Sequence, residues 1–263
     1  MRTALVCIAK NEDHYIDEWI DYHLKLGFDD VFIYQNDWTA HLNQERESVH
    51  LIDVNGEGQQ MNSYMDFIWN RSTDFDFVAF FDVDEFLCFK PPHEMDLKKF
   101  LKDFEDVYCI GINWRFFGDS GLEKVENNEY SLLKRFKKAE ATQNKHIKSI
   151  FNLKMYREKK LIHSLAMQNP HCFRNSYFGK FCISTDRSHF IAGPFNENFD
   201  PTVQLNHYYC KTKEEFLTIK NIRGRGDVPT SSGFKFYSIK DFEDKNKNEI
   251  EDTAAFDFFF GKS

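Results

Sequence analysis

The chain has 263 residues and a formal net charge of −8, with 41% hydrophobic and 29% charged residues and 29 phenylalanines, so it can bury a core and is not broadly disordered. The acidic balance argues against general nucleic-acid binding, and the length fits one α/β domain with elaborations. No apolar run reaches the ~18 residues of a membrane span, and Ala4 to Ala9 is too short for a signal segment. The expected location is therefore the cytoplasm, with the inner face of a membrane as a second setting.

The first hundred residues alternate between two patterns. Thr3 to Ile8 reads as a buried strand. Ile16, Trp19, Ile20, His23 and Leu24 then form a helical stripe that ends at Gly27, the residue a helix C-cap favours. Val31 to Gln35 and Val49 to Val54 are further strands, Gln59 to Arg71 is a helix, and Phe77 to Asp82 is a fourth strand. Such alternation predicts an α/β fold with a mostly parallel central sheet.

Beyond residue 105 the pattern loosens. Val107 to Trp114 reads as a strand, Gly118 to Gly121 as a turn, and 130 to 195 as strands and loops. Lys211 to Ile222 is helical, followed by a turn at Gly224-Arg225-Gly226. The tail 241 to 260 starts charged and ends in Phe256, Phe258, Phe259 and Phe260, which should pack on the body or a partner subunit, with peripheral membrane contact as the lesser alternative. No repeat or Pro/Ser-rich linker divides the chain. Residues 134 to 160 carry 10 Lys/Arg against Glu140 and Glu158 alone, a stretch suited equally to an anionic surface and to a solvated face. The six cysteines include no CxxC pair, and reduced thiols are expected.

In a parallel sheet, ligands bind beyond the carboxyl ends of the strands. Three polar segments fall there: Ala9-Lys10-Asn11-Glu12, Gln35-Asn36-Asp37 and Asp82-Val83-Asp84-Glu85. In an extended segment Asp82 and Asp84 would face the same side and offer two carboxylates to Mn²⁺ or Mg²⁺. A DxD alone says little in a chain with 42 acids, but this one follows the apolar run Phe77 to Phe81, where unpaired carboxylates are costly. Asn11, Glu12, Asn36 and Asp37 could equally be helix-start and turn residues. His207 is a candidate third ligand that would favour Mn²⁺, although a lone histidine is more often packed than ligating. Lys211, Lys220 and Arg223 could face a diphosphate or only solvent.

These segments in order, from Ala4 through Glu12, Glu18-Trp19 and His23, Tyr34 to Asp37, Phe81 to Phe86, Lys148 to Ile150, Pro170-His171 and Asn206-His207-Tyr208 with Lys211, resemble the family 2-like glycosyltransferases related to family 92. The resemblance implies a GT-A type, Rossmann-like nucleotide-binding sandwich in a single domain with a C-terminal helical extension. The catalytic domain would span 1–240, with the nucleotide-binding part over about 1–105 and the acceptor part over about 106–240, and 241–263 would be a tail.

On that reading Asn11, Glu12, Asn36 and Asp37 hold base and ribose, Asp82 touches ribose or metal, and Asp84 and His207 bind the metal. Lys211 faces the diphosphate. The expected reaction is metal-dependent, inverting transfer of a hexose, with UDP-galactose the first choice of donor, to a glycan or glycolipid acceptor in surface polysaccharide synthesis. Asp119, beside Trp114 as a sugar-stacking residue, is the candidate base, although Asp119 also suits a plain turn. His163, His171, Glu197 and Asp200 are rivals for that role. A nucleotidyltransferase would normally show a glycine-rich phosphate loop after the first strand, which Ala9 to Asp13 lacks. A non-catalytic carbohydrate-binding module is the other alternative.

Overall fold

The computed structural model describes residues 1–175, 182–220, 226–229 and 237–262. Strands β1 (Thr3–Ala9), β2 (Asp30–Asn36), β3 (Val49–Val54) and β4 (Phe77–Phe80) lie parallel in the order β3-β2-β1-β4. Helix α1 (Ile16–Leu26) connects β1 to β2, and α2 (Gln60–Asn70) connects β3 to β4. The side chains of β1 alternate between the two faces. Leu5 and Cys7 enter the core cluster that contains Trp19 and Ile20 of α1, whereas Ala4 and Val6 enter the one that contains Tyr64 and Phe67 of α2. Both faces are thus covered by helices, which is why the inner strands β1 and β4 read as continuous apolar runs, while the edge strand β3 stays partly exposed. Gly27 ends α1 at φ 118°, a left-handed conformation in which a side chain would be strained.

Past β4 the sheet becomes mixed. Strand β5 is Glu85–Phe89, β6 is Cys109–Phe116, β7 is the two-residue Lys138–Ala139, and β8 is Ile147–Asn152. β8 is antiparallel to both β4 and β6, and β9 (Val203–His207) runs parallel to β6 and antiparallel to β5. The result is a mixed α/β fold whose large sheet is parallel where the sequence alternates strand and helix, and mixed where it does not.

Three expectations change. The fourth strand stops at Phe80, two residues early, because Asp82-Val83-Asp84 turns out of the sheet: Glu85 N donates to the Asp82 carbonyl and Asp82 N to Glu85 Oε2, both at 2.9 Å. Cys109 and Cys182 are joined as a disulfide rather than held as thiols, while the other four cysteines are free and buried. The segment after Lys211 forms a short helix, Lys213–Glu215, and then a π-helical stretch, Phe216–Lys220. Arg223 and the Gly224-Arg225 part of the expected turn lie outside the described residues.

The tail packs on the body. Its last helix, Ala254–Phe260, buries Ala255 and sets Phe258 5.4 Å from Tyr22, and Lys25 Nζ donates to the carbonyls of Phe258 (2.8 Å) and Phe259 (3.0 Å). Among the described residues, no helix is long and apolar enough to cross a membrane.

Candidate active site

A cavity of about 770 Å³ opens where β1, β2 and β4 end, and its walls reach across to β6, β8 and β9. Glu12, Asn36, Asp82, Asp84 and His207 line it, so the strand ends do converge. Asn11, Asp37, Lys211 and Asp119 are not among its lining residues.

The turn at residues 82–84 sends the two aspartates in different directions, so the same-side geometry expected of an extended segment does not hold. Asp82 accepts bonds from Gln60 (3.0 Å) and from the buried Lys148 (2.9 Å). Lys148 also lies 3.4 Å from Glu85, which is fully buried beneath the turn. Burial opposes the Lys148 charge, but Asp82 and Glu85 outweigh it and raise its pKa to about 12. Lys148 is therefore a fixed cation under the aspartate turn, supplied by a strand that otherwise reads as apolar.

Asp84 faces the other group. Its Oδ1 lies 3.5 Å from His207 Nε2 and its Oδ2 3.3 Å from Lys220 Nζ. Burial alone would raise the Asp84 carboxyl, yet Lys220, His207 and Lys211 hold it well below the usual carboxylate range. Burial lowers His207 against the pull of Asp84, which favours the neutral imidazole, and Nδ1 of that ring is buried without a hydrogen-bond partner among the described residues. Burial also lowers Lys220 to about 8, partly offset by Asp84.

An ionised carboxylate facing a neutral imidazole is a donor pair that Mn²⁺ accepts. Among the described residues, no group of three His, Cys, Asp or Glu side chains is placed to hold an ion, so Asp82 does not complete a triad with Asp84 and His207. Such an ion would also share Asp84 with Lys220. Its remaining positions suit phosphate oxygens and water, as is usual for Mg²⁺ and Mn²⁺ at phosphate sites.

At the ends of β2 and β3, Asn36 Nδ2 donates to the Gly56 carbonyl at 2.8 Å and Asp37 Oδ1 accepts the Gly56 N–H at 3.0 Å, so both brace the loop after β3. Asn11, Asp37 and Lys211 all adopt positive φ, at 55°, 46° and 52°. Asn and Asp tolerate this at tight strand exits, and lysine does so less readily. Lys211 Nζ is buried 3.7 Å from Glu12 and 3.9 Å from the centre of the Tyr15 ring. Of these two lysines, the one that lines the cavity is Lys220, nine residues later on the π-helical stretch. Sequence periodicity could not single it out, because the wider winding redirects it.

Asp119 is a turn residue. Its carboxylate accepts Asn246 Nδ2 (2.8 Å), Asn248 Nδ2 (3.0 Å) and Gly121 N (2.8 Å), which fixes the 118–121 turn against the segment after residue 245. We expect Asp119→Asn to keep enzymatic activity within about threefold of the parent and to lose roughly 1–2 kcal/mol of stability in a denaturant melt. A hundredfold fall in rate would restore Asp119 to the chemistry. Among the rivals, Glu197, Asp200 and His163 do not line the cavity. His171 does, but its Nδ1 is bonded to the Ile147 carbonyl (2.9 Å) and burial lowers it to about 3.

Trp114 and Phe116, two apart on β6, both line the cavity and flank the His207 ring at 4.4 and 5.4 Å between centroids. They form an aromatic floor next to the Asp84–His207 pair, the kind of surface on which an apolar sugar face can stack.

Comparison with known proteins places these residues in a lineage. Solved structures that match this chain at low similarity include TarS of S. aureus (14% identity, TM-score 0.35, 61% of this chain and 30% of that one) and HddC from Yersinia pseudotuberculosis (11%, 0.38, 73% and 93%). A third is the glycosyltransferase GlyE of Streptococcus pneumoniae TIGR4 (14%, 0.25, 62% and 37%). The chain thus spans less than a third of the length of TarS. No curated protein matches the sequence. The family model of glycosyltransferase family 92 matches residues 49–208, a stretch that includes Asp82, Asp84, Lys148 and His207. The chain belongs to glycosyltransferase family 92.

Proposed function

We propose that this glycosyltransferase is metal-dependent and inverting, and that it moves a hexose, with galactose from UDP-galactose as the first choice, onto a glycan or glycolipid acceptor in surface polysaccharide synthesis. The observation that carries this reading is the Asp84–His207 pair, with Lys220 beside it, in the wall of a cavity of about 770 Å³. That volume lies within the usual ~300–1,000 Å³ of small-ligand sites.

Asp84 and His207 would hold Mn²⁺ or Mg²⁺, which when bound would supply Lewis-acid neutralisation of the diphosphate. Lys220 would add a second positive charge where the leaving group gains negative charge. Glu12 and Asn36 would receive base and ribose at the ends of β1 and β2. Asp82, held by Gln60 and Lys148, would contact ribose or one edge of the diphosphate. The aromatic floor of Trp114 and Phe116 would orient the sugar.

Calorimetric titration with UDP tests the nucleotide and the metal together. We expect binding at least tenfold tighter with 1 mM Mn²⁺ than with EDTA. Equal affinities would remove the metal from this reading, and failure to bind any nucleoside diphosphate would remove the donor class. Screening nucleotide sugars for metal-stimulated hydrolysis then identifies the hexose.

A further inference from the structure

We propose that Glu140 is the general base that deprotonates the acceptor hydroxyl, an inference that rests on the glycosyl-transfer reading above. Glu140 lines the cavity and is itself 8% exposed. Its Oε1 accepts the Phe116 N–H at 2.8 Å, which fixes the carboxylate at the edge of β6. Phe116 is also the register partner of His207 across the opposite edge of that strand.

Strand β6 therefore lies between the two chemistries, with β9 and the proposed metal ligand His207 on one side and the segment carrying Glu140 on the other. Two strand spacings are about 10 Å. That interval leaves room for a hexose over the Trp114–Phe116 floor, as attack opposite the leaving group requires. The acidic residues of the cavity outside the proposed donor site are less suitable: Glu57 and Asp244 are exposed, Asp241 is engaged by the Ser238 cap, and Asp227 follows Gly226, whose carbonyl accepts the Gln60 N–H at 3.0 Å on the Asp82 side.

The charged neighbours of Glu140 come from two elements. Arg115 on β6 and Lys247 beyond the 239–245 helix favour the anion, and Glu249 opposes it. Burial outweighs the first two and raises the carboxyl to about 7, a value suited to accepting a proton near neutrality. In the reaction, the acceptor oxygen forms its bond to the anomeric carbon as the bond from that carbon to the diphosphate oxygen breaks. The electron pair leaves with the nucleoside diphosphate, and the hydroxyl proton passes to Glu140.

The test is Glu140→Gln in the full chain, with Glu140→Asp as a second variant in case the amide disturbs folding. For Glu140→Gln we expect kcat to fall by roughly a hundred- to ten-thousandfold, the usual contribution of a positioned base. UDP affinity in Mn²⁺ should stay within about twofold. The wild-type rate should rise with pH through an apparent pKa near 7, and that acid limb should vanish in Glu140→Gln and persist at lower rate in Glu140→Asp. A Glu140→Gln enzyme with more than a third of wild-type kcat, or with the acid limb intact, overturns the assignment. A wild-type chain that binds no nucleoside diphosphate and transfers no sugar overturns the glycosyl-transfer reading instead, and the base with it.

Discussion

Replacing Asp84 with alanine is expected to slow sugar transfer by roughly a hundred- to a thousandfold, the scale for losing one preorganised electrostatic group at a reacting centre. The same variant should bind UDP equally with Mn²⁺ and with EDTA. Asp84 faces His207 at 3.5 Å and Lys220 at 3.3 Å, so its removal takes away one of the two proposed metal ligands and leaves the Lys220 ammonium buried without its carboxylate. The melting temperature should therefore fall as well, and part of it should return in Asp84→Ala combined with Lys220→Met, because the unpaired charge is then gone. Asp82→Ala should cost less in metal dependence. Its partners are Gln60 and Lys148, and it stands apart from the Asp84–His207 pair. Undiminished metal-stimulated transfer by Asp84→Ala, or equal loss of metal dependence in the Asp82 and Asp84 variants, would sink this division of labour.

That division could not be read from the motif. The apolar run into Phe81 puts Asp82 and Asp84 at a strand end that opens on the cavity, because buried parallel strands and polar strand ends leave a strong mark on sequence. The helix from Ile16 and its stop at Gly27, and the strand Val49–Val54, were legible for the same reason. Whether Asp82-Val83-Asp84 continues the strand or turns depends on Glu85, which is drawn under the turn by Lys148 from a strand more than 60 residues away. Local periodicity carries no record of such a pairing.

The later half was harder for a related reason. Glu140 sits in a run of lysines and arginines that reads as solvated surface, and only the folding of that run along β6 buries it. Lys148 leaves a local mark, since a lysine between Ile147 and Ser149-Ile150-Phe151 is an expensive choice without a buried anion. In the sequence Asp119 reads either as a base near the sugar-stacking Trp114 or as a plain turn residue. The partners that bind its carboxylate, Asn246 and Asn248, lie more than 120 residues away.

Arg135→Met should destabilise the fold by about 3–5 kcal/mol, the cost of stripping one partner from a buried ion pair. Arg135 and Glu215 are joined by two parallel bonds, 2.8 and 3.0 Å, and both side chains are at most 5% exposed. Glu215 also accepts Tyr15 Oη (2.5 Å) and Thr212 Oγ1 (2.6 Å). The Thr212 contact closes the cap of the helix that leads into the stretch bearing Lys220. Burial would raise the Glu215 carboxyl, but the Arg135 bonds and charge, with Thr212 and Tyr15, bring it from 4.5 to about 2. A depressed carboxylate contributes stability that is fully present above its unfolded pKa and is lost as pH falls through the folded one. The difference corresponds to about 3 kcal/mol, which should disappear between pH 5 and 2. In Arg135→Met that acid-dependent loss should shrink, because the variant has already given up most of it at neutral pH. Thermal melts of both proteins across this range decide the matter: parallel pH profiles, or an unchanged melting temperature at pH 7, would show that the pair does not hold the Lys220 segment in place.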